Sequence, residues 1–263
     1  MLPTLQRCNT PSGAAYVQRG AGEETLVLVH GVGMRIEAWG PQIDQLADHC
    51  RVIAVDLPGH GFSDVLAGPA ELPGYVAWFQ SFLDEVGVET VSVAGHSMGA
   101  LIAGGLVATA PGRVKRLALL NAVHRRSSQA RKAVEARARE ISSGDFDREA
   151  PLARWFSAQE AGTDAYGLVR ALLQAVDPAA YAAAYTAFAM GDSTYSDCWP
   201  RVPCPALFLT GDGDHNSTAD MARAMAAAAP RGRDVVVKGH RHMVNLTAPE
   251  VVNGALAEWL ALR

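Results

Sequence analysis

The stretch Val91-Ser92-Val93-Ala94-Gly95-His96-Ser97-Met98-Gly99-Ala100 carries the plainest chemistry in this 263-residue chain. An apolar, β-branched run leads into Gly-His-Ser-Met-Gly, and a small-residue apolar segment follows to position 110. That order reads as strand, tight turn, helix, and Gly-x-Ser-x-Gly in that setting is a nucleophile elbow. The serine must sit where the chain reverses, so that its Oγ projects above a sheet. A Cβ at Gly95 or Gly99 would collide with the neighbouring strand or helix. The helix that starts at the serine aims its amides and dipole at a reacting carbonyl oxygen. A serine hydroxyl is a weak nucleophile near neutral pH and needs an adjacent base. A histidine can take that proton and hand it to the leaving group, and a carboxylate behind it fixes the tautomer. Asp212 and Asp214 follow one apolar run, and His240 and His242 follow another, so each partner has two candidates.

Positioning these groups needs a sheet. Residues 14–20 and 25–29 read as strands, the second a continuous apolar run suited to a strand buried on both faces. Further strands are expected over 51–56, 90–94, 115–121, 205–210 and 234–238, with helices over 39–47, 73–87, 98–110, 217–229 and 248–262. Strands alternating with helices of this length argue for an α/β fold with a mostly parallel, doubly wound sheet. The rhythm breaks over 124–200, where alanine- and charge-rich helical patterns occupy 126–142, 150–160, 164–175 and 178–190. The expected organisation is therefore a core of residues 1–123 and 201–263 with an all-helical lid inserted at 124–200.

The net charge of −4 and pI near 6.1 argue against a nucleic-acid partner. No apolar signal-peptide core and no run of about 18 apolar residues is seen, so no membrane partner is expected and the cytoplasm is the expected compartment. Cys8, Cys50, Cys198 and Cys204 lack metal-like spacing and are expected as reduced thiols. There is no H-E-x-x-H, no Cys/His cluster and no dinucleotide fingerprint, so neither metal nor cofactor is expected.

Taken together, the order of these pieces resembles the α/β-hydrolase family, over essentially the whole chain, with 124–200 matched only by type. Five motifs fall in that family's order: His30-Gly31-Val32-Gly33; Asp56-x-x-Gly59-His60-Gly61-x-Ser63-Asp64; Gly95-His96-Ser97-Met98-Gly99; Gly211-x-x-Asp214; and Gly239-x-x-His242 followed by Pro249-Glu250. The resemblance implies catalysis by Ser97, Asp214 and His242, in the family's order of serine, acid, histidine. It prefers Asp214 over Asp212 by the spacing from Gly211, and His242 over His240 by the spacing to Pro249. Arg241 departs from the small residue usual before the base. Some relatives carry the acid after the preceding core strand, where this chain has Asn121. The backbone amides of Val32 and Met98 are implied as the oxyanion hole.

The implied activity is a serine hydrolase cleaving a small or medium carboxylic ester or lactone through an acyl-enzyme on Ser97. Asp177-Pro178-Ala179-Ala180-Tyr181, followed by Ala187-Phe188 and Asp192, resembles the lid of the enol-lactone hydrolase branch. Carbon–carbon bond hydrolysis of the meta-cleavage type uses the same three residues and stays open, as does a non-catalytic small-molecule sensor on the same fold. His30 and His60 are expected to be structural, His96 to lie beside the elbow, Ser63 and Asp64 to cap a turn, and Trp39, Trp78 and Trp155 to be core or lid packing. Arg125, Arg126, Arg131, Lys132, Arg137 and Arg139 are expected on a solvated helix face, with recruitment of an anionic substrate or an acidic carrier as the sharper alternative. A monomer or homodimer is expected.

Overall fold

Successive side chains of a strand point to opposite faces, so a run apolar at every position must be covered on both sides. The protein, described over residues 5–263 by a computed structural model, builds its sheet from such runs. The strands are β1 (Cys8–Asn9), β2 (Ala15–Arg19), β3 (Thr25–Val29), β4 (Arg51–Val55), β5 (Val91–His96), β6 (Val114–Leu120), β7 (Ala206–Gly211) and β8 (Gly232–Val237). Their order is β1-β2-β4-β3-β5-β6-β7-β8, with β3 to β8 parallel and β1 and β2 antiparallel at one edge. Val27, Val29, Val93, Leu119 and Phe208 face one core layer, while Leu26, Leu28, Ala94, Leu120 and Leu209 face the other. This is the mostly parallel, doubly wound sheet that the alternation implied. The two-residue β1 carries no alternating pattern and was invisible in the sequence.

Helices α1 (Gly40–Leu46), α9 (Val244–Thr247) and α10 (Pro249–Leu260) cover one face of the sheet; α2 (Leu72–Glu85), α3 (Met98–Thr109) and α8 (Ala219–Ala228) cover the other. Between β6 and β7 lie α4 (Ser128–Ser142), α5 (Ala150–Trp155), α6 (Asp164–Ala175) and α7 (Pro178–Gly191). Three of these four start on a side-chain cap: Ser127 accepts from Ala130, Thr163 from Tyr166 and Asp177 from Ala180. The helix expected over 150–160 stops at Trp155, because the Trp155 carbonyl turns away to accept the His242 amide (3.2 Å). The expected solvated basic face is only partly so. Arg126 is buried, its amide donates to Asp192 (2.8 Å), and its guanidinium and that of Arg131 lie 3.4 and 3.0 Å from the same carboxylate. Asp192 closes α7, so this buried cluster ties the two ends of the helical segment together.

The loops after β3 and β4 are held by neutral histidines. His30 Nε2 accepts the Leu57 amide (2.9 Å), so its Nδ1 carries the proton and donates to the Gly31 carbonyl (2.8 Å). His60 Nε2 likewise accepts the Gly33 amide (3.0 Å) while Nδ1 donates to Pro58 (3.0 Å). The buried Asp56 carboxylate collects the Ile36 and Phe62 amides and the Arg7 guanidinium, joining the same two loops. Ser63 holds the turn by donating to the Asp56 carbonyl (2.7 Å) and accepting from Ala15 (2.8 Å). Among the described residues no helix is long and apolar enough to cross a membrane, and all four cysteines are free.

Two stability measurements follow from these contacts. Asp192→Ala leaves the buried Arg126 without its carboxylate and should lower the unfolding free energy by about 3 kcal/mol, read from the urea midpoint at fixed slope. Burial pushes the His60 pKa down to about 4 and holds His30 well below the usual imidazole range. The unfolded chain therefore binds more protons than the native one as pH falls below about 6.5, and stability drops. His60 alone accounts for about 2 kcal/mol between pH 6.5 and 5, with His30 adding in the same direction. Equal urea midpoints at pH 7 and pH 5 would contradict this.

Candidate active site

β5 ends and α3 begins within one residue, Ser97, whose φ of 54° and ψ of −112° are unusual for any side chain larger than hydrogen. Two close approaches impose that turn. A Cβ on Gly95 would lie 2.2 Å from the Gly99 carbonyl oxygen, and one on Gly99 would lie 2.0 Å from the Val29 carbonyl oxygen. The Ser97 amide donates to the Leu120 carbonyl (2.9 Å), so the elbow is also pinned to β6.

The loops after β7 and β8 supply the other two groups. His242 Nδ1 lies 2.7 Å from Asp214 Oδ2. The other Asp214 oxygen accepts the amides of Asn216 (2.9 Å) and Ser217 (3.1 Å), and Asn121 Nδ2 donates to Oδ2 (2.9 Å). Burial by itself would raise the Asp214 pKa; the His242 charge and these hydrogen bonds outweigh it and hold the carboxyl below its usual range. A carboxylate so held keeps the proton of His242 on Nδ1 and leaves Nε2 as the basic atom. Ser97 and His242 line one cavity, although the hydroxyl makes no hydrogen bond to the ring in this state. Such contacts commonly tighten only when substrate is present.

The remaining candidates separate cleanly. Asp212 is exposed and accepts the Gly239 amide (2.8 Å), a turn role. His240 shares its Nδ1 between Thr247 (2.9 Å) and Glu160 (3.1 Å) and does not line the cavity. Val32 lines the cavity; Met98 has its side chain buried in the core. Among the described residues neither the Val32 nor the Met98 amide donates to a loop, turn or side-chain acceptor, which leaves both free for a ligand oxygen.

Three supporting residues were not legible as such in the sequence. Trp155, expected as packing, stacks on the His242 ring at 5.5 Å between centroids and 26° between planes. His96 donates from Nε2 to the His242 carbonyl (2.8 Å), and burial pushes its pKa down to about 3, so it stays neutral beside His242. Asn121, in a left-handed conformation after β6, donates to the Asp214 carboxylate of the loop after β7. A signal existed only for Asn121, which occupies the position where some α/β-hydrolases keep their acid.

The cavity has room for about one water, roughly 20 Å³. Gly31, Val32, Ser97, His242 and Met243 form its floor, and Val134, Arg154, Trp155, Tyr185 and Phe188 from the helical segment form its roof. The arrangement brings a hydroxyl, a tautomer-fixed imidazole and the Val32 backbone to one small cavity.

Comparison with known proteins agrees with the fold. Residues 26–255 match the model of the alpha/beta hydrolase family. The chain is 47% identical over 257 residues to an (E)-2-((N-methylformamido)methylene)succinate hydrolase of Acinetobacter baylyi, covering 98% of this chain and 97% of that one. Among solved structures it is similar to a malate-bound thermophilic esterase from Thermogutta terrifontis, with a TM-score of 0.86 and 26% identity over 97% of this chain and 98% of that chain. It also shares its fold with the enol-lactonase from Burkholderia xenovorans LB400, with a TM-score of 0.83 and 24% identity over 97% and 99%.

The geometry distinguishes the two aspartates. Asp214→Asn should cut the kcat for 4-nitrophenyl acetate by about 10³- to 10⁴-fold, through the wrong imidazole tautomer. Asp212→Asn can still accept the Gly239 amide and should stay within about threefold of the parent. The reverse outcome in the same assay would place the acid at Asp212.

Proposed function

The chain belongs to the alpha/beta hydrolase family, and from that premise we propose that it is a serine hydrolase cleaving an acyl bond of a small carboxylic acid derivative. The observation that carries this reading is the buried His242–Asp214 pair facing the cavity onto which Ser97 opens. Ser97 Oγ attacks the carbonyl carbon and passes its proton to His242 Nε2. Asp214 stabilises the imidazolium and keeps the ring oriented. The tetrahedral oxyanion lies against the Val32 and Met98 amides, in a cavity too dry to weaken those bonds. His242 then protonates the leaving atom, and the acyl group stays on Ser97. Water, deprotonated by His242, attacks the ester carbon and releases the acid and the serine hydroxyl. Helices α4 to α7 act as the lid over this space and must shift to admit a substrate.

An ester or lactone is the first substrate class, since an alkoxide or enolate leaves more readily than an amide nitrogen. A second class is favoured by the relative from Acinetobacter baylyi, whose named substrate carries an N-formyl group on an enamine and two carboxylates. Conjugation with the alkene and carboxylate makes that nitrogen a better leaving atom than in a simple amide. The malate in the Thermogutta terrifontis esterase also puts a dicarboxylate on this fold.

A fluorophosphonate probe followed by peptide mass mapping tests the nucleophile, with the covalent adduct expected on Ser97 and abolished in Ser97→Ala. Turnover of 4-nitrophenyl acetate and of (E)-2-((N-methylformamido)methylene)succinate should be measured side by side. A kcat/KM at least about 100-fold higher for the second assigns the N-acyl class, and comparable values assign simple esters. Labelling of Ser97 with turnover of neither compound would favour a sensor, and no labelling would overturn the serine mechanism.

A further inference from the structure

Two deeply buried arginine side chains of this protein meet carboxylates, whereas Arg154, half-buried on the roof of the Ser97 cavity, meets none among the described residues. Arg7 pairs with Glu37 and Asp56, and Arg126 pairs with Asp192. Arg154, in the last turn of α5, has a buried Nε without any hydrogen-bond partner. Among the described residues its guanidinium has no ion pair and donates to no protein acceptor. Asp147, whose charge acts on it, uses its Oδ1 to cap the amides of Glu149 and Ala150 (2.8 and 3.2 Å). A partly desolvated guanidinium with no acceptor is costly, because its lost hydration is not replaced.

Its position gives that vacancy a direction. Arg154 immediately precedes Trp155, whose ring lies on His242 and whose carbonyl holds the His242 amide. Arg154 therefore lines the same cavity as Ser97, and its place there is fixed relative to the base. A second cation reinforces it: Arg137 donates to the Tyr185 hydroxyl (3.2 Å), and Tyr185 also lines the cavity. Burial pulls the Arg154 pKa down and the charge of Arg137 pulls it further, so an incoming anion would relieve both effects. On its other side Arg154 borders an outer crevice of about 220 Å³ with Glu140, Asp145 and Asp147, none of which pairs with it.

We propose that Arg154 is the specificity-determining residue of this site, and that it binds a carboxylate on the substrate while Ser97 attacks an acyl group a few atoms away. The substrate class is then a short acyl compound carrying a second, anionic carboxyl: a half-ester, a carboxylated lactone or an N-acyl derivative of a diacid. A planar guanidinium takes such a group through two parallel hydrogen bonds, which fixes the distance and angle between the carboxylate and the scissile bond. This assignment rests on the serine-hydrolase reading above for what is cleaved, but not for what is bound.

The test compares 4-nitrophenyl hydrogen glutarate with the neutral 4-nitrophenyl pentanoate, which matches it in chain length. The parent protein should prefer the anionic ester in kcat/KM. Arg154→Gln should lower that preference by about 10- to 100-fold, mainly through KM, and Arg154→Lys should restore part of it. A role in packing alone would lower both esters together and leave their ratio unchanged. A second arm needs no turnover: calorimetric titration of glutarate into Ser97→Ala protein should show binding that is at least tenfold weaker in Ser97→Ala/Arg154→Gln. An unchanged ester ratio in Arg154→Gln, or a parent without anionic preference, would overturn the proposal. If Ser97 proves unreactive, the hydrolase reading falls and glutarate decides the matter: binding that needs Arg154 supports the anion site, and its absence ends it.

Discussion

The whole architecture hangs on a contact distance. For α3 to start one residue after β5, the backbone of Gly99 must touch that of Val29 and of Gly95, at separations that no Cβ could share. That approach forces Ser97 into a left-handed φ and lifts its hydroxyl off the sheet. It also sets α3 against β3, β5 and β6, so the core on that face is built from the same constraint. The strain at Ser97 persists because strands on both sides over-determine it: β3 by close approach and β6 by the Leu120 carbonyl.

Around that turn, charge is rationed by burial. His30, His60 and His96 are buried, each with its pKa pushed down; neutral His30 and His60 each bridge two backbone groups, and His96 donates to the His242 carbonyl. Asp214, equally buried, is treated in the opposite way: four donors surround it, and they keep it ionised against the cost of desolvation. The result is a pocket in which the Asp214 carboxylate beside His242 is held charged while the His96 imidazole beside the same residue is held neutral.

The helical segment between β6 and β7 is fastened at two places of different character. Asp192 with Arg126 and Arg131 locks its two ends by buried charge. Trp155 touches the catalytic side of the core through ring stacking and one backbone hydrogen bond to His242. The first is costly to break and suits a fixed hinge. The second is a contact of one ring and one amide, which can be given up and remade.

Much of this was written locally in the chain. Apolar runs of five to seven residues announced β3 to β7, and glycines flanking Ser97 announced the elbow, because strand burial and backbone contact depend on neighbouring residues. The residues alone left two candidates for each partner; the resemblance to the α/β-hydrolase family preferred Asp214 over Asp212 and His242 over His240, and the structure puts the preferred pair 2.7 Å apart. Only the tertiary structure decided what those loops lean on. Trp155 over His242, His96 under its carbonyl and Asn121 on Asp214 join residues from 87 to 146 positions apart, and Arg154 on the cavity roof is left unmatched. No periodicity or motif encodes such contacts, because each depends on where two separately folded elements come to rest. A residue's type and spacing fix what it can do; which other group shares its few ångströms of low-dielectric space is settled only when the sheet closes and the helices dock.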